Sequence, residues 1–225
     1  MHQGVFPHTA FRDYALLDSG RGEKLERFGG VVVRRPDPQA LWPHARTEAA
    51  WREADLTFVP DEGSGGRGGK WATSRVAHGG ILAVHPEWSV RCGDATLLAR
   101  PTPFKHVGIF PEQSANWELV RSVRQKIDAE EPRLLNLFGY TGAASILALR
   151  SEYEVTHVDA SKKAIGWARE NQSTAGMESL PIRSACSIRS AFPLPYPGSW
   201  RATPLSSAAG VSPPFPPSIR NEPGS

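Results

Sequence analysis

Two glycines and one aspartate have the types and spacing expected of a site for a nucleoside cofactor. Gly139 and Gly142 form a G-x-x-G turn after a short apolar run, and Asp159 ends the next apolar run. Glycines at the first strand-to-helix turn let a ligand approach the backbone closely. A carboxylate at the tip of the neighbouring strand can accept hydrogen bonds from both ribose hydroxyls of an adenosine. These residues therefore predict a bound nucleoside.

The spacing of the glycines favours one kind of nucleoside over another. A dinucleotide site uses G-x-G-x-x-G, which seats a pyrophosphate on the N-terminus of a helix. The turn from Gly139 to Gly142 has two glycines and lacks the third. S-adenosylmethionine (SAM) carries no phosphate, so this turn fits SAM better than NAD. An NAD-dependent oxidoreductase stays open as an alternative.

The elements around these residues alternate between strand and helix. Leu134 to Phe138 is an apolar run suited to a buried parallel strand, and Ala143 to Arg150 reads as a helix. Glu154 to Val158 reads as a second strand, followed by a helix that Ser161 can cap. This alternation predicts an α/β, Rossmann-like fold with a parallel sheet, whose ligands bind beyond the carboxyl ends of the strands.

The preceding part of the chain reads differently. Apolar runs and glycine turns between Tyr14 and Arg35 predict a β-hairpin or meander, so residues 1–103 should form a small β-rich region. Asp61 to Lys70 reads as a loop, and it lacks the Gly-Lys-Ser/Thr ending of a phosphate-binding P-loop. Apolar residues at three- and four-residue intervals predict a helix from Glu112 to Glu131, ended by Pro132.

Three segments in this order resemble a known family. They are FKHVGIFPEQSA at 104–115, LNLFGYTGAAS at 135–145 and VTHVDASKKAIGWAREN at 155–171. The chain from Tyr14 to about Arg183 is similar to bacterial class I SAM-dependent methyltransferases of the large-subunit ribosomal RNA cytosine-C5 type. The resemblance implies a class I methyltransferase fold, SAM as the methyl donor, and RNA, in particular ribosomal RNA, as the substrate.

The resemblance also implies roles for residues in the matching motifs. Asp159 would hold the ribose, with Ser161 and Lys162 at the adenine edge. Three residues of the first segment would close over the cofactor, and five of the second would line its methionine and adenosine side. These are Lys105, Phe110 and Gln113, and then Asn136, Phe138, Gly139, Thr141 and Gly142.

The chain departs from the family after about residue 183. Family members continue to an Asp-Pro-Pro-like motif that positions the target base, and the cytosine-C5 enzymes need a cysteine thiolate. This sequence has no Asp-Pro-Pro, and neither Cys92 nor Cys186 is assigned as a nucleophile, so the catalytic residues are unknown. Residues 104–183 would thus form the first half of the SAM-binding domain, with an incomplete sheet. Residues 184–225, with nine Pro and nine Ser, are expected to be a disordered tail after a truncation or frame shift.

Composition limits the function classes. No apolar stretch reaches the roughly 18 residues that a membrane helix needs, so a cytoplasmic protein is expected. The cysteines have no CxxC spacing and the histidines form no HxH or HExxH, which argues against a metal site. A net charge of +3 and a pI near 9.0 indicate nucleic acid only weakly. A non-catalytic RNA-binding module and an inactive fragment remain alternatives.

Overall fold

The computed structural model describes residues 11–63, 68–73 and 87–187. Its first sheet has five strands in the order β1-β2-β3-β4-β5, of which β3 and β4 are parallel and the other pairs antiparallel. A short helix, α1, precedes β4. The bounds are β1 Tyr14–Gly20, β2 Glu23–Phe28, β3 Val31–Pro36, α1 Glu48–Arg52, β4 Leu56–Pro60 and β5 Gly69–Thr73.

The predicted meander between Tyr14 and Arg35 is confirmed, and its turns show why. Arg21 and Gly22 connect β1 to β2 with φ angles of 49° and 79°. Two consecutive positive φ angles make the tight turn whose twist matches that of antiparallel strands. The predicted loop at 61–70 is shorter, because Gly69 and Lys70 already belong to β5. Residues 64–67 of that loop lie outside the described residues.

The second half of the chain forms a parallel sheet with helices. Its strands run in the order β10-β9-β8, and both pairs are parallel. A two-stranded antiparallel hairpin, β6 and β7, lies between the two sheets in sequence. The bounds are β6 Trp88–Cys92, β7 Ala95–Ala99, α2 Ser114–Arg124, β8 Arg133–Leu137, α3 Ala143–Arg150, β9 Glu154–Val158, α4 Lys162–Thr174 and β10 Ile182–Ala185.

Strand β8 is more exposed than the sequence predicts. Leu135 and Leu137 are 46% and 39% exposed, and Phe138 just beyond the strand is 90% exposed. Within the described residues β8 pairs with β9 on one side and is the edge of its sheet. A run of apolar residues predicts burial on both faces, but it does not reveal whether a neighbouring strand is present.

The helix predicted from Glu112 to Glu131 is shorter in the structure. Pro111–Gln113 forms one 3₁₀ turn and α2 ends at Arg124. Arg121 and Arg124 lie in its last turn, where cations interact favourably with the helix dipole. The acidic run after them, from Asp128 to Glu131, would place negative charge at that end. The helix therefore ends before Pro132 imposes a stop.

The hairpin and the first sheet share one core with the parallel sheet. Fully buried members of this core include Phe28 and Val33 of the first sheet, Leu97 of the hairpin and Ile146 of α3. The predicted tail begins later than residue 184, because Ser184 and Ala185 pair with β9. Residues 188–225 lie outside the described residues. None of the described helices is long and apolar enough to cross a membrane.

Candidate functional site

The turn after β8 has a strained backbone. Phe138 and Tyr140 have φ angles of 57° and 49°, and Gly142 has a φ of 88°. Non-glycine residues in this region cost about 1–3 kcal/mol each and persist where the surroundings hold them. Here the Gly139 amide donates to the Val158 carbonyl (3.0 Å) and the Gly142 amide to the Gly139 carbonyl (2.9 Å). The turn is therefore fixed against the tip of β9.

Asp159 connects this turn to the next helix. Its Oδ2 accepts a hydrogen bond from the Tyr140 amide (2.9 Å) and its Oδ1 accepts one from the Ser161 amide (2.8 Å). Ser161 caps α4, since its hydroxyl oxygen accepts from the Ala164 amide (3.2 Å). A carboxylate has about four lone-pair sites, so Asp159 can still accept two more hydrogen bonds.

The segment at 104–113 is tied to the same turn. The Thr141 hydroxyl, buried, donates to the Gly108 carbonyl (2.6 Å). Asn171 of α4, also buried, donates to the Thr141 carbonyl (2.8 Å) and accepts from the Leu98 amide (2.7 Å). Asn171 thus joins β7, α4 and the turn. It shares the apolar face of α4 with Ala164 and Ala168, and a polar residue at that spacing is a signal that the sequence analysis did not use.

The two glycines of the turn are needed for packing. A Cβ on Gly139 would lie 2.4 Å from the His157 ring, and one on Gly142 would lie 2.9 Å from the Ala168 Cβ. Real side chains do not approach so closely. Gly139 therefore makes room for a side chain of β9, and Gly142 lets α3 begin against α4.

A chain of polar side chains lies beneath the turn. The Asn136 amide nitrogen donates to the Ser145 hydroxyl oxygen (2.8 Å), and that oxygen lies 3.0 Å from Nδ1 of His157. Ser145 and His157 are fully buried. Burial lowers the pKa of His157, and the Asp159 charge partly opposes this effect. His157 is therefore neutral at physiological pH.

An open cleft of about 680 Å³ lies at the carboxyl end of β8, bounded by α2 and the turn. This volume is within the range of small-molecule sites. The structure brings six of the predicted site residues to its lining, and Tyr140, which the sequence analysis did not single out, joins them. The six are Phe110, Gln113, Asn136, Phe138, Gly139 and Thr141.

The other five predicted site residues lie outside this lining. Gly142 faces Ala168, while Asp159 and Ser161 are linked to the cleft through the Tyr140 amide. Lys162 is the first residue of α4 and is exposed. Lys105 is half-buried, and its carbonyl accepts from Arg35 (3.1 Å).

Neither Cys92 nor His106 has the properties of a reactive side chain. Cys92 is buried in β6, and burial raises the pKa of its thiol, so it is not a ready nucleophile. Burial and the charges of Arg35 and Lys105 lower the pKa of His106. Among the described residues no group of three His, Cys, Asp or Glu side chains could hold a metal ion.

Comparison with known proteins gives structural matches alone. No family model matches the chain, and no curated protein matches it. A SAM-dependent methyltransferase from Agrobacterium tumefaciens matches with 44% identity and a TM-score of 0.70, over 78% of this chain and 53% of that one.

Two more distant structures share the fold. A Streptococcus mutans protein assigned as a SAM-dependent methyltransferase matches at 15% identity with a TM-score of 0.56, over 80% of this chain and 47% of its own. Another protein assigned as a methyltransferase, solved with S-adenosylhomocysteine (SAH), matches at 14% identity with a TM-score of 0.58, over 82% of this chain and 48% of its own. This chain spans about half the length of each. The predicted Rossmann-like fold of SAM-dependent methyltransferases is confirmed.

Proposed function

We propose that this chain binds SAM and forms the cofactor-binding part of a methyltransferase that acts on RNA. The observation that carries the proposal is the strained turn at 138–142, held by Asp159 at the mouth of a cleft. Its setting is a fold that matches a SAM-dependent methyltransferase at 44% identity. Both features belong to the part of the chain that the three family-like segments cover.

The cleft lining and the neighbouring carboxylate of Asp159, which lies outside that lining, fit SAM. Asp159 keeps free lone pairs for the two ribose hydroxyls, while its other lone pairs bind the Tyr140 and Ser161 amides. The cleft offers apolar walls from Phe110 and Phe138. It has no cluster of cationic side chains among its described lining residues, which suits a ligand without phosphate.

The roles of the site residues follow from this placement. Asp159 would hold the ribose, with Ser161 and Lys162 near the adenine, and Phe110, Gln113 and Lys105 would cover the ligand. The remaining residues would form its floor: Asn136, Phe138, Gly139, Thr141 and Gly142. SAM supplies an activated methyl group when bound. This chain's own residues would bind and orient it, and we assign none of them to the transfer step.

Replacement of Asp159 tests the cofactor site. Asp159→Ala removes the acceptor of two ribose hydroxyls, and hydrogen bonds to a charged group contribute about 1.5–3 kcal/mol. We therefore expect the full chain to bind SAH about 10- to 100-fold more weakly when Asp159 is replaced. Calorimetric titration with SAH measures the change, and thermal unfolding of each variant checks that it is folded.

Glu154→Ala is the matched control, because Glu154 begins the strand that Asp159 follows. Glu154 makes an exposed ion pair with Arg133 (2.9 Å), so its loss should leave SAH affinity within about twofold. Folded wild-type chain that binds no SAH would refute the proposal. Binding of NADH in the same titration would instead support an oxidoreductase.

The RNA substrate is supported by the family-like segments and by the pI near 9.0. If RNA and cofactor meet at one site, their affinities are coupled reciprocally. We expect RNA binding that weakens steeply between about 50 and 200 mM salt and that changes at least about threefold when SAH saturates the chain. Fluorescence anisotropy with labelled single-stranded RNA measures both effects. RNA affinity that falls with salt but ignores SAH would indicate a non-catalytic RNA-binding module.

A further inference from the structure

The loop at 102–106 leads into the segment that lines the cleft, and its backbone is held at every residue. Three of its carbonyl groups accept from β3 and β5: that of Lys105 from the Arg35 side chain (3.1 Å), that of Pro103 from the Gly69 amide (3.1 Å) and that of Thr102 from Trp71 Nε1 (2.8 Å). The other two, those of Phe104 and His106, accept from the hydroxyl (2.9 Å) and the amide (3.2 Å) of Thr102. The first sheet therefore fixes the conformation of this loop.

Phe104 lies in the middle of the loop with much of its side chain in solvent. Its amide donates to the Thr102 hydroxyl oxygen (3.2 Å), whereas 59% of its surface is exposed and its ring is not part of the described hydrophobic core. Isolated exposed apolar side chains are common on proteins. The fixed backbone of Phe104, however, means that its ring loses little further freedom when a flat ligand stacks on it.

Lys105 adds a positive charge next to this ring. Two other cations lie near the loop, Arg35 and Lys24, and both are within ion-pair distance of Glu26 (2.5 Å and 3.6 Å). Lys105 is half-buried, and its ammonium group makes no ion pair with any residue that the structure describes. It is therefore the cation of this loop that can pair with an anionic ligand.

The loop borders the cofactor cleft. The ring of its last residue, His106, lies 5.0 Å from that of Phe110, centroid to centroid, and Phe110 lines the cleft. Two residues of chain span at most about 7 Å, so the Phe104 backbone lies within that distance of His106. Phe104 is not among the described lining residues. A ligand stacked on Phe104 would therefore lie beside the cofactor and not in its place.

An exposed ring beside a cation fits single-stranded nucleic acid. Every base has an aromatic face that can stack on a phenyl ring, and the adjoining phosphate can pair with a lysine. A protein partner would need a patch of about 800 Å² with an apolar centre. Phe104 is flanked by Thr102, Pro103 and Lys105, and one ring in that setting does not make such a patch.

We propose that Phe104 stacks on an unpaired base of the RNA substrate at the edge of the cleft, and that Lys105 binds a neighbouring phosphate. The proposal rests on the proposed function and adds to it a contact for the RNA outside the cofactor site. Lys105 also borders the cofactor in the proposed function, whereas Phe104 has no part in that site. Replacement of Phe104 is therefore the sharper test.

Phe104→Ala tests the stacking contact in the full chain. Loss of one base–aromatic stack should weaken binding of a single-stranded RNA of about 12 nucleotides by about 5- to 150-fold. Phe104→Trp keeps an aromatic ring and should stay within about threefold of the wild type. Fluorescence anisotropy measures the affinities. A 2-aminopurine base in the RNA reports stacking directly, and its fluorescence should change on binding the wild type and Phe104→Trp more than on binding Phe104→Ala.

Two further variants separate stacking from other effects. Leu119 of α2 has nearly the same exposure as Phe104, 58%, and does not line the cleft, so Leu119→Ala should keep RNA affinity within about twofold. Lys105→Gln should reduce the slope of the logarithm of the binding constant against that of salt concentration by about 0.7, the value for one phosphate contact with a single strand. Phe104→Ala should leave this slope unchanged, and it should bind SAH within about twofold of the wild type.

The outcomes distinguish this contact from the proposed function. Wild-type RNA binding that responds to SAH but is unchanged in Phe104→Ala would overturn the stacking contact and leave the proposed function standing. A Phe104→Ala chain that loses SAH affinity and melts at a lower temperature would also overturn it, since the ring would then support the loop. Wild-type chain that binds SAH but no RNA would refute the RNA substrate of the proposed function, and this contact with it.

Discussion

Replacing Arg35 with alanine should lower the free energy of unfolding by about 3–5 kcal/mol. Arg35 lies in β3 with 3% of its surface exposed, and its partner Glu26 in β2 is fully buried. Removing the guanidinium leaves a carboxylate inside the protein with its main counter-charge gone. Urea unfolding followed by circular dichroism measures the loss.

The geometry of this pair supports a large effect. Nε and one terminal nitrogen of Arg35 donate to the two carboxylate oxygens of Glu26, at 2.5 Å and 3.0 Å. The Tyr14 hydroxyl also donates to Glu26 (2.9 Å), and burial together with the Glu26 charge raises the pKa of Tyr14. Burial disfavours the charged form of Arg35, but the hydrogen bonds and charge of Glu26 outweigh it and raise its pKa. Lys24 lies 3.6 Å from Glu26 and is too distant to replace the lost hydrogen bonds.

Two controls separate the cost of leaving the Glu26 carboxylate buried and unpaired from the cost of losing an ion pair as such. Replacing both partners with apolar residues, Glu26→Leu with Arg35→Met, should destabilise less than Arg35→Ala, because no charge is left unpaired. Arg133→Ala removes an exposed ion pair with Glu154 and should change stability by about 0–1 kcal/mol. A loss below about 1 kcal/mol in Arg35→Ala would show that the Glu26 carboxylate finds another partner or water in place of the guanidinium.

The arrangement of the candidate site could be predicted where it depends on the order of elements along the sequence. A glycine turn after one strand and an aspartate after the next predict their own proximity, because parallel strands end at the same edge of a sheet. The structure places the Tyr140 amide 2.9 Å from Asp159, in agreement with that expectation. The alternation of strands and helices likewise predicted the parallel pairing of β8 with β9.

What the sequence did not reveal depends on contacts between distant residues. Asn171 and Leu98 are 73 residues apart, and the role of Asn171 appears once its partners are known. Leu135 is 46% exposed, and no property of the apolar run itself reports how much of its surface the rest of the chain covers. The glycines were predicted correctly as turn residues, but the space that Gly139 leaves is filled by His157.

Gly108→Ala should lower the free energy of unfolding by about 3 kcal/mol, for two separable reasons. Gly108 has a φ of +95°, a conformation that L-residues rarely adopt. Its Cβ would also lie 2.4 Å from the Trp167 ring. That ring is buried, its Nε1 donates to the Leu98 carbonyl (3.2 Å), and its centroid lies 4.5 Å from the guanidinium carbon of Arg100. It therefore has little room to move away.

Two other glycines isolate the two contributions and a third serves as a control, and urea unfolding measures all of them. Gly176 has a φ of +67° and open space around it, so Gly176→Ala should show the backbone strain alone, about 1–2 kcal/mol. Gly139 lacks the positive φ but would meet the His157 ring at 2.4 Å, so Gly139→Ala should show the steric clash alone, about 1–3 kcal/mol. Gly166 lies inside α4 with nothing near its Cβ position. Gly166→Ala should therefore raise the free energy of unfolding by up to about 1 kcal/mol.

The same variants also distinguish a loss of stability from a loss of SAH affinity. Gly108 accepts the Thr141 hydrogen bond that holds the 104–113 segment against the turn, so its displacement should weaken SAH binding as well as folding. Gly176 follows α4 and takes no part in that contact, so Gly176→Ala should leave SAH affinity within about twofold. Equal losses of stability in Gly108→Ala and Gly176→Ala would mean that the Trp167 ring moves away from the new methyl group. The 104–113 segment would then be held by its hydrogen bonds rather than by packing.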